Sequence, residues 1–269
     1  MNDPIRLAVL GDPLAYTRSP ILHRAGLEHL GLFGTSEALR TAPGQLGERL
    51  DALAAAGYRG VNLTHPLKHA VLAHLERISD RAREAQSVNT VGFGPEARWG
   101  DTTDGEGFLD WLRVLGRDPA RERIVLLGAG GAARSLGLAL VGAGAGVTVV
   151  ARRHTAAGPA WSTIAANVIE WSEDPMTRAL ARATRVVNAT PVSSEDAPID
   201  PKRIPISVLT VDLTYGPELT PWVLGARACG LEAWDGLGLL AAQAKRSLER
   251  WLDADIPFDV LARAAGWPR

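Results

Sequence analysis

The sequence predicts an α/β protein of two lobes. Three observations carry this reading. Short apolar runs alternate with longer helix-like segments, a glycine-rich turn follows a fresh strand in mid-chain, and the last stretches, residues 236–252 and 257–265, read as helices with no strand after them. The strand runs are residues 5–10, 60–63, 87–93, 124–127, 147–150, 185–188, 208–212 and 232–234. Most are rich in Val, Ile or Leu and close on Gly, Asn, Asp or Thr. Helical periodicity falls at residues 19–30, 45–56, 70–78, 105–115 and 132–141. Strands alternating with helices imply βαβ units, mostly parallel sheets and right-handed crossovers. A boundary is expected near residues 104–116, because a loop at 117–121 then leads into a new strand. A cleft between two such halves is the natural place for a ligand.

Composition narrows the function. The 269 residues are 46% hydrophobic and 22% charged, with a mean hydropathy of zero, which is a globular profile rather than a disordered or fibrous one. Net charge is −1, from 29 basic and 30 acidic residues, so no polyanion-binding field exists and neither nucleic acid nor a membrane surface is expected as partner. No apolar run of about 18 residues is present to span a bilayer. The first residues lack a basic segment followed by an apolar run, so no signal peptide is expected. One cysteine, Cys229, excludes an internal disulfide and fits a reducing, cytoplasmic compartment. No His/Cys cluster offers a metal site.

The run 124–127 leads into Gly128-Ala129-Gly130-Gly131-Ala132-Ala133 and then an apolar helix. This is a variant of the dinucleotide-binding fingerprint. Gly128 permits the tight turn, Gly130 lets the backbone approach a pyrophosphate, and Ala133 is small enough for close packing of helix on strand. The helix amides then face the diphosphate. After the second strand come Ala151-Arg152-Arg153-His154. No carboxylate stands there to accept from a ribose 2′-hydroxyl, whereas two guanidiniums can clamp a 2′-phosphate, so the expected cofactor is NADP(H).

Polar residues punctuate the first half. In Thr17-Arg18-Ser19-Pro20, Ser19 is a candidate N-cap and the two hydroxyls beside a helix start suit a carboxylate. In Asn62-Leu63-Thr64-His65-Pro66-Leu67-Lys68, the lysine opens a helix against its dipole, a mild misfit that points to a functional role and is set evenly against an ordinary exposed lysine at a helix start; His65 is a candidate acid or base, set against a structural or solvated ring. Val88-Asn89-Thr90 puts polar groups in an apolar strand, and Asp104, after Asp101-Thr102-Thr103, is a candidate cap for the next helix.

Taken in order, Thr-x-Ser-Pro, Asn-Leu-Thr-x-Pro-x-Lys, Val-Asn-Thr, Gly-x-x-Thr-Asp and Gly-Ala-Gly-Gly-Ala resemble the shikimate dehydrogenase family. Asn188-Ala189-Thr190, Asp212-Leu213-Thr214-Tyr215-Gly216-Pro217 and Gly236-Leu237-Gly238-Leu239-Leu240-Ala241-Ala242-Gln243 extend the resemblance over essentially the whole chain. The resemblance implies NADPH-dependent reduction of 3-dehydroshikimate to shikimate by a monomer or homodimer. It also implies a split substrate domain (1–103 with 237–269) and a central Rossmann-type NADP domain (104–236). Lys68 and Asp104 then match the catalytic pair. Thr17 and Ser19 match the hydroxyls that hold the substrate carboxylate, and Asn62, Thr64, Asn89, Tyr215 and Gln243 match residues around the substrate ring. Gly128, Ala129, Gly130, Gly131, Ala132, Ala151, Arg152 and Arg153 match NADP contacts. Asn188, Ala189, Thr190, Leu213 and Gly236 match residues near the nicotinamide and its ribose, and Asp80 matches an acidic position near the cofactor.

The sequence also departs from the family. Thr17 replaces the usual Ser, Thr102 an Asn, Gln86-Ser87 a small Gly, Ala151-Arg152-Arg153 the Asn-Arg-Thr motif, and Leu239 a Met. These departures keep three substrates open: shikimate, quinate or an amino analogue. A non-catalytic NADP-binding paralogue is a further alternative, against which both Lys68 and Asp104 stand.

Overall fold

The first apolar run folds as β1 (Ile5–Gly11), in which Leu7, Ala8, Val9 and Leu10 are all buried. Burial of successive side chains requires cover on both faces, which helices supply. The computed structural model describes residues 3–14, 16–164, 166–192 and 198–269. The chain divides into two units. Unit 1 takes the chain up to Gly107 together with Leu240–Pro268, and unit 2 takes Phe108–Leu239 and Arg269.

In unit 1, β1 is followed by α1 (Ser19–His29), β2 (Gly34–Arg40), α2 (Leu46–Ala55), β3 (Gly60–Leu63), α3 (Leu67–Ala70), β4 (Arg77–Ile78), α4 (Asp80–Ala85), β5 (Thr90–Phe93) and β6 (Arg98–Asp101). They form one sheet in the order β2-β1-β3-β5-β6-β4. Among the described residues three of its five strand pairings are parallel, in keeping with the expected mostly parallel sheets, and β5 runs antiparallel to both β3 and β6. Helix α2 buries Leu46, Leu50 and Leu53, one stripe at helical spacing, in a core with Ala8, Leu10, Val61 and Leu63.

Residues 70–78, expected as helix, divide instead. α3 ends at Ala70, a 3₁₀ turn covers Val71–His74, and Arg77 and Ile78 pair with Trp99 and Gly100. Strand pairing overrides the local periodicity there. The strand expected over 87–93 starts only at Thr90, because Ser87 and Val88 still serve the preceding turn; Val88 N–H donates to the Lys68 carbonyl.

Unit 2 holds a parallel sheet of β7 (Arg123–Leu127), β8 (Gly146–Ala151), β9 (Asn167–Glu170), β10 (Arg185–Asn188), β11 (Leu209–Asp212) and β12 (Ala233–Trp234), in the order β12-β11-β10-β7-β8-β9. This is the doubly wound order, with its topological switch between β7 and β10. α6 (Gly131–Gly142), α7 (His154–Ser162), α8 (Glu173–Leu180) and α9 (Pro221–Ala228) make the crossovers. α5 (Asp104–Val114) and α10 (Leu237–Leu252) each begin in one unit and finish in the other, and α11 (Phe258–Ala265) belongs to unit 1. Among the described residues no helix is long and apolar enough to cross a membrane.

Glycines give tryptophan rings their places. A Cβ on Gly60, Gly92, Gly137 or Gly238 would overlap Trp251, Trp99, Trp161 or Trp111 respectively. At Gly60 the ring cannot retreat, since Trp251 Nε1 donates to the Val91 carbonyl at 3.0 Å. Gly60→Ala is therefore expected to cost about 1–3 kcal/mol by overpacking, read as a lower denaturation midpoint; an unchanged midpoint would refute the contact.

Candidate functional site

Unit 1 turns polar where its central strands end. Strand register sets Asn62, Thr90 and Asp101 in one row across β3, β5 and β6, and all three are buried. Asn89 stands just before β5, with its backbone held between neighbours: Leu63 N–H donates to Asn89 O, and Asn89 N–H donates to Asp101 O. Its side-chain amide then gathers the site. Nδ2 donates to Thr103 Oγ1 and Asp104 Oδ1, both at 2.9 Å, and to Gln243 Oε1 at 3.1 Å; Oδ1 accepts from Thr103 N at 2.7 Å. Buried amides are costly unless so satisfied.

The other Asp104 oxygen, Oδ2, accepts from Lys68 Nζ at 2.7 Å. Lys68, on α3, is 21% exposed at the side chain and Asp104 only 7%. The chain thus brings together an ammonium and a carboxylate 36 residues apart, with the ammonium reaching solvent and the carboxylate held from behind by Asn89. Asp104 is the first residue of α5 rather than its cap. Gln243 sits on α10, one turn before Ser247, whose Oγ donates to the Gln243 carbonyl and meets Thr90 Oγ1 at 2.7 Å.

Thr17 and Ser19 flank the start of α1 with hydroxyl oxygens 3.5 Å apart. Ser19 does not cap the helix, as its Ser-Pro pattern suggests. It is already the first helical residue, Arg18 occupies the cap position, and Ser19 N–H instead points to Thr17 Oγ1 at 3.4 Å. Thr64 follows β3, half-buried, while His65 is exposed. Asp80 is exposed in the first turn of α4, where a carboxylate favours the helix dipole. It lies in unit 1, whereas the other expected cofactor residues lie in unit 2; conversely Tyr215 lies in unit 2, apart by chain division from the remaining substrate-type residues.

Sequence reasoning missed His23 and Ser247. Both are fully buried. Each occupies a core-facing position of a helix, beside Leu22, Gly26 and Leu27 or beside Ala244 and Leu248. A polar residue inside an apolar helical stripe was the available signal.

A charged cluster braces the same region. Asp101 accepts from Arg81, from Ser79 Oγ at 2.5 Å and from Arg250, while Arg81 and Arg250 both also reach Glu106. Burial pushes the Asp101 carboxyl up, but Arg81, Ser79 and Arg250 outweigh it and hold the group below its ordinary 3.8. A depressed carboxylate stabilises the fold above its unfolded pKa and loses that contribution as pH falls through the folded value. Asp101→Asn is expected to cost about 3 kcal/mol at pH 7, with the deficit shrinking below pH 3.8; a deficit independent of pH in denaturation series would refute this.

In unit 2, register aligns Leu127, Val150, Asn188 and Asp212 at the carboxyl edge of the sheet. Gly128, Ala151, Ala189 and Leu213 are the next residues along and so share that edge. Asp212 is buried and accepts from Asn188 Nδ2, Thr214 N, Thr214 Oγ1 and Thr220 Oγ1 at 2.8–3.1 Å. Burial raises its pKa, against the pull of those donors. Asn188 Oδ1 in turn accepts from Thr190 N and Oγ1, shaping the Asn188–Ala189–Thr190 loop. Gly236, beyond β12, donates its N–H to Thr214 O at 3.0 Å.

The residues present fit a dinucleotide. Gly128 has φ +104°, where a side chain would be strained. Gly130 opens α6 with no side chain capping its amides, and a Cβ there would meet nothing within 4 Å. That leaves the helix amides open for a pyrophosphate. Arg152 and Arg153 are exposed and carry no ion pair among the described residues.

A doubly wound sheet with an uncapped glycine turn, in a chain whose other unit holds a half-buried Lys–carboxylate pair, defines a dinucleotide-dependent oxidoreductase class. Comparison with known proteins narrows it. Residues 9–91 match the family model of the shikimate dehydrogenase substrate binding domain. The chain is 39% identical over 264 residues to the shikimate dehydrogenase (NADP(+)) of Acidiphilium cryptum, covering 96% of this chain and 95% of that one. The crystal structure of shikimate 5-dehydrogenase from Thermus thermophilus, in complex with NADP(H) and shikimate, superposes with a TM-score of 0.88 at 36% identity, covering 97% and 98%. A ligand-free 5-ketofructose reductase from a Gluconobacter species superposes at 0.83 with 29% identity, covering 98% of each chain. The chain belongs to the shikimate dehydrogenase family.

Proposed function

We propose that this chain is an NADP-dependent shikimate dehydrogenase, catalysing the reversible reduction of 3-dehydroshikimate to shikimate in the biosynthesis of aromatic amino acids. The observation that carries the reading is the Lys68–Asp104 pair, 2.7 Å apart and backed by Asn89, which also donates to Gln243. The relatives named shikimate dehydrogenase (NADP(+)) support it over nearly the whole chain.

Reduction of a ketone builds negative charge on its oxygen. The Lys68 ammonium is suited to stabilise that charge and to deliver the proton. Asp104 orients the ammonium and has oxygens able to accept from a substrate hydroxyl. Asn89 keeps Asp104 in place, and Asn89 and Gln243 present further polar atoms to the ring. Thr17, Ser19 and Thr64 supply hydroxyls, the first two at a helix start suited to the substrate carboxylate, and Asn62 and Tyr215 complete the proposed substrate set. NADP(H), when bound, supplies or accepts the hydride. Gly128, Ala129, Gly130, Gly131 and Ala132 would hold its pyrophosphate, and Ala151, Arg152 and Arg153 its 2′-phosphate. Asn188, Ala189, Thr190, Leu213 and Gly236 would hold the nicotinamide end, with Asp80 as a further cofactor residue. The single cysteine, a free thiol, fits a cytoplasmic enzyme.

Thr17, with a methyl that Ser lacks at the proposed carboxylate end, is the reason to weigh a second reading in which quinate or an amino analogue is turned over. A panel of shikimate, quinate and aminoshikimate, oxidised with NADP and with NAD, tests both. Highest kcat/KM on shikimate with NADP is expected, and no turnover of any of the three would overturn the assignment. Lys68→Ala is expected to lower kcat by about 10²–10⁴-fold with NADP affinity nearly unchanged; wild-type kcat would remove Lys68 from the chemistry. Arg152→Ala is expected to raise the KM for NADP more than that for NAD, and equal effects would reject the phosphate clamp.

A further inference from the structure

The buried network of unit 1 reaches beyond the residues that touch Lys68 and Asp104. Its far end is His23 on α1, fully buried, with Nε2 2.9 Å from Asn62 Oδ1 and Nδ1 2.8 Å from Ser36 Oγ. Its ring stands edge-on to Trp251, centroids 5.5 Å apart.

The neighbours dictate where its proton sits. Asn62 Nδ2 donates to the Asn89 carbonyl at 2.9 Å, and a carbonyl can only accept. The Asn62 amide is therefore fixed with oxygen toward His23. An amide oxygen can only accept too, so His23 Nε2 must carry the hydrogen. Nδ1 then bears the lone pair, and Ser36 Oγ donates to it. Burial, reinforced by the nearby Arg24 charge and opposed by the Asn62 bond, lowers the His23 pKa from 6.5 to about 4. The ring is neutral at physiological pH.

Asn62 is committed in every direction. Nδ2 faces the Asn89 carbonyl, Ser247 Oγ at 3.0 Å and Thr90 Oγ1 at 3.2 Å, while Oδ1 faces His23. Its two N–H groups are shared among these three partners. From Thr90 and Ser247 the network continues to Thr103 Oγ1, and thence to the Asn89 amide that holds Asp104.

We propose that His23, as its neutral Nε2–H tautomer, is a positioning residue that locks Asn62, and that Asn62 held in this way fixes Asn89 and Asp104. The functional part of this inference rests on the Lys68–Asp104 reading; the tautomer does not.

Two measurements test it. In the full chain with ¹⁵N-labelled histidine, His23 is expected to have a pyrrole-type Nε2 and a pyridine-type Nδ1 at neutral pH. A pyrrole-type Nδ1 overturns the proposal, and this readout needs no variant. Among variants, His23→Leu leaves the Asn62 oxygen unpaired, whereas the side-chain amide of His23→Gln can still donate to it. His23→Leu is expected to lower kcat/KM for shikimate at least about 10-fold with NADP binding unchanged, and His23→Gln to recover most of the loss. Equal losses in both variants, or none in His23→Leu, overturn the positioning role. Should unsubstituted protein oxidise no shikimate, the functional reading fails, and the labelled spectrum decides the tautomer by itself.

Discussion

An amide removed from water must find a partner for each of its polar atoms, and Asn89 meets that demand with residues from two distant stretches of chain. Thr103 and Asp104 come from the start of α5, Gln243 comes from α10, and the backbone on either side is tied into the sheet. An unmet donor or acceptor there would cost about 1–3 kcal/mol. The requirement ties the start of α5 and the middle of α10 to the strand ends. Asp104 receives its orientation from a neutral neighbour, which leaves its second oxygen for the Lys68 ammonium.

Unit 2 uses an anion for a comparable purpose. Asp212 collects four donors at the carboxyl edge of its sheet, one of them from Thr220 at the start of α9. Through Asn188 it shapes the Asn188–Thr190 loop. Each unit thus orders the polar edge of its sheet around one buried polar hub. Side chains at the surface of either edge need supply only contact, since the backbone beneath them is already held.

The legible parts of the sequence were those with strong local signals. Residues 60–63 and 185–188 coincide with β3 and β10 because buried Val61, Leu63, Val186 and Val187 make short apolar runs, even though Asn62, Arg185 and Asn188 are buried among them. β2, in contrast, reads Gly-Thr-Ser-Glu-Ala-Leu-Arg. It lies at the sheet edge with most side chains in water, so no apolar run announced it. β9 is the corresponding edge of the second sheet. β4 is only two residues long and exists by pairing with β6. At the site, Lys68 and Asp104 stood in recognisable motifs. His23 and Ser36 are 13 residues apart, and Asn62 and Ser247 are 185 apart. Such partnerships are tertiary, and nothing in either local segment encodes them.

The tryptophan rings laid over glycines carry a consequence for how this chain diverges. At Gly60 and Trp251 a methyl on one residue needs a smaller ring on the other, and the smaller ring loses its bond to Val91. Neither residue can drift by single steps without passing through a less stable ancestor. The pair at residues 92 and 99 is bound by the same geometry. These positions are expected to be exchanged jointly or not at all, so a lineage that acquires alanine at residue 60 should already have given up its indole at residue 251.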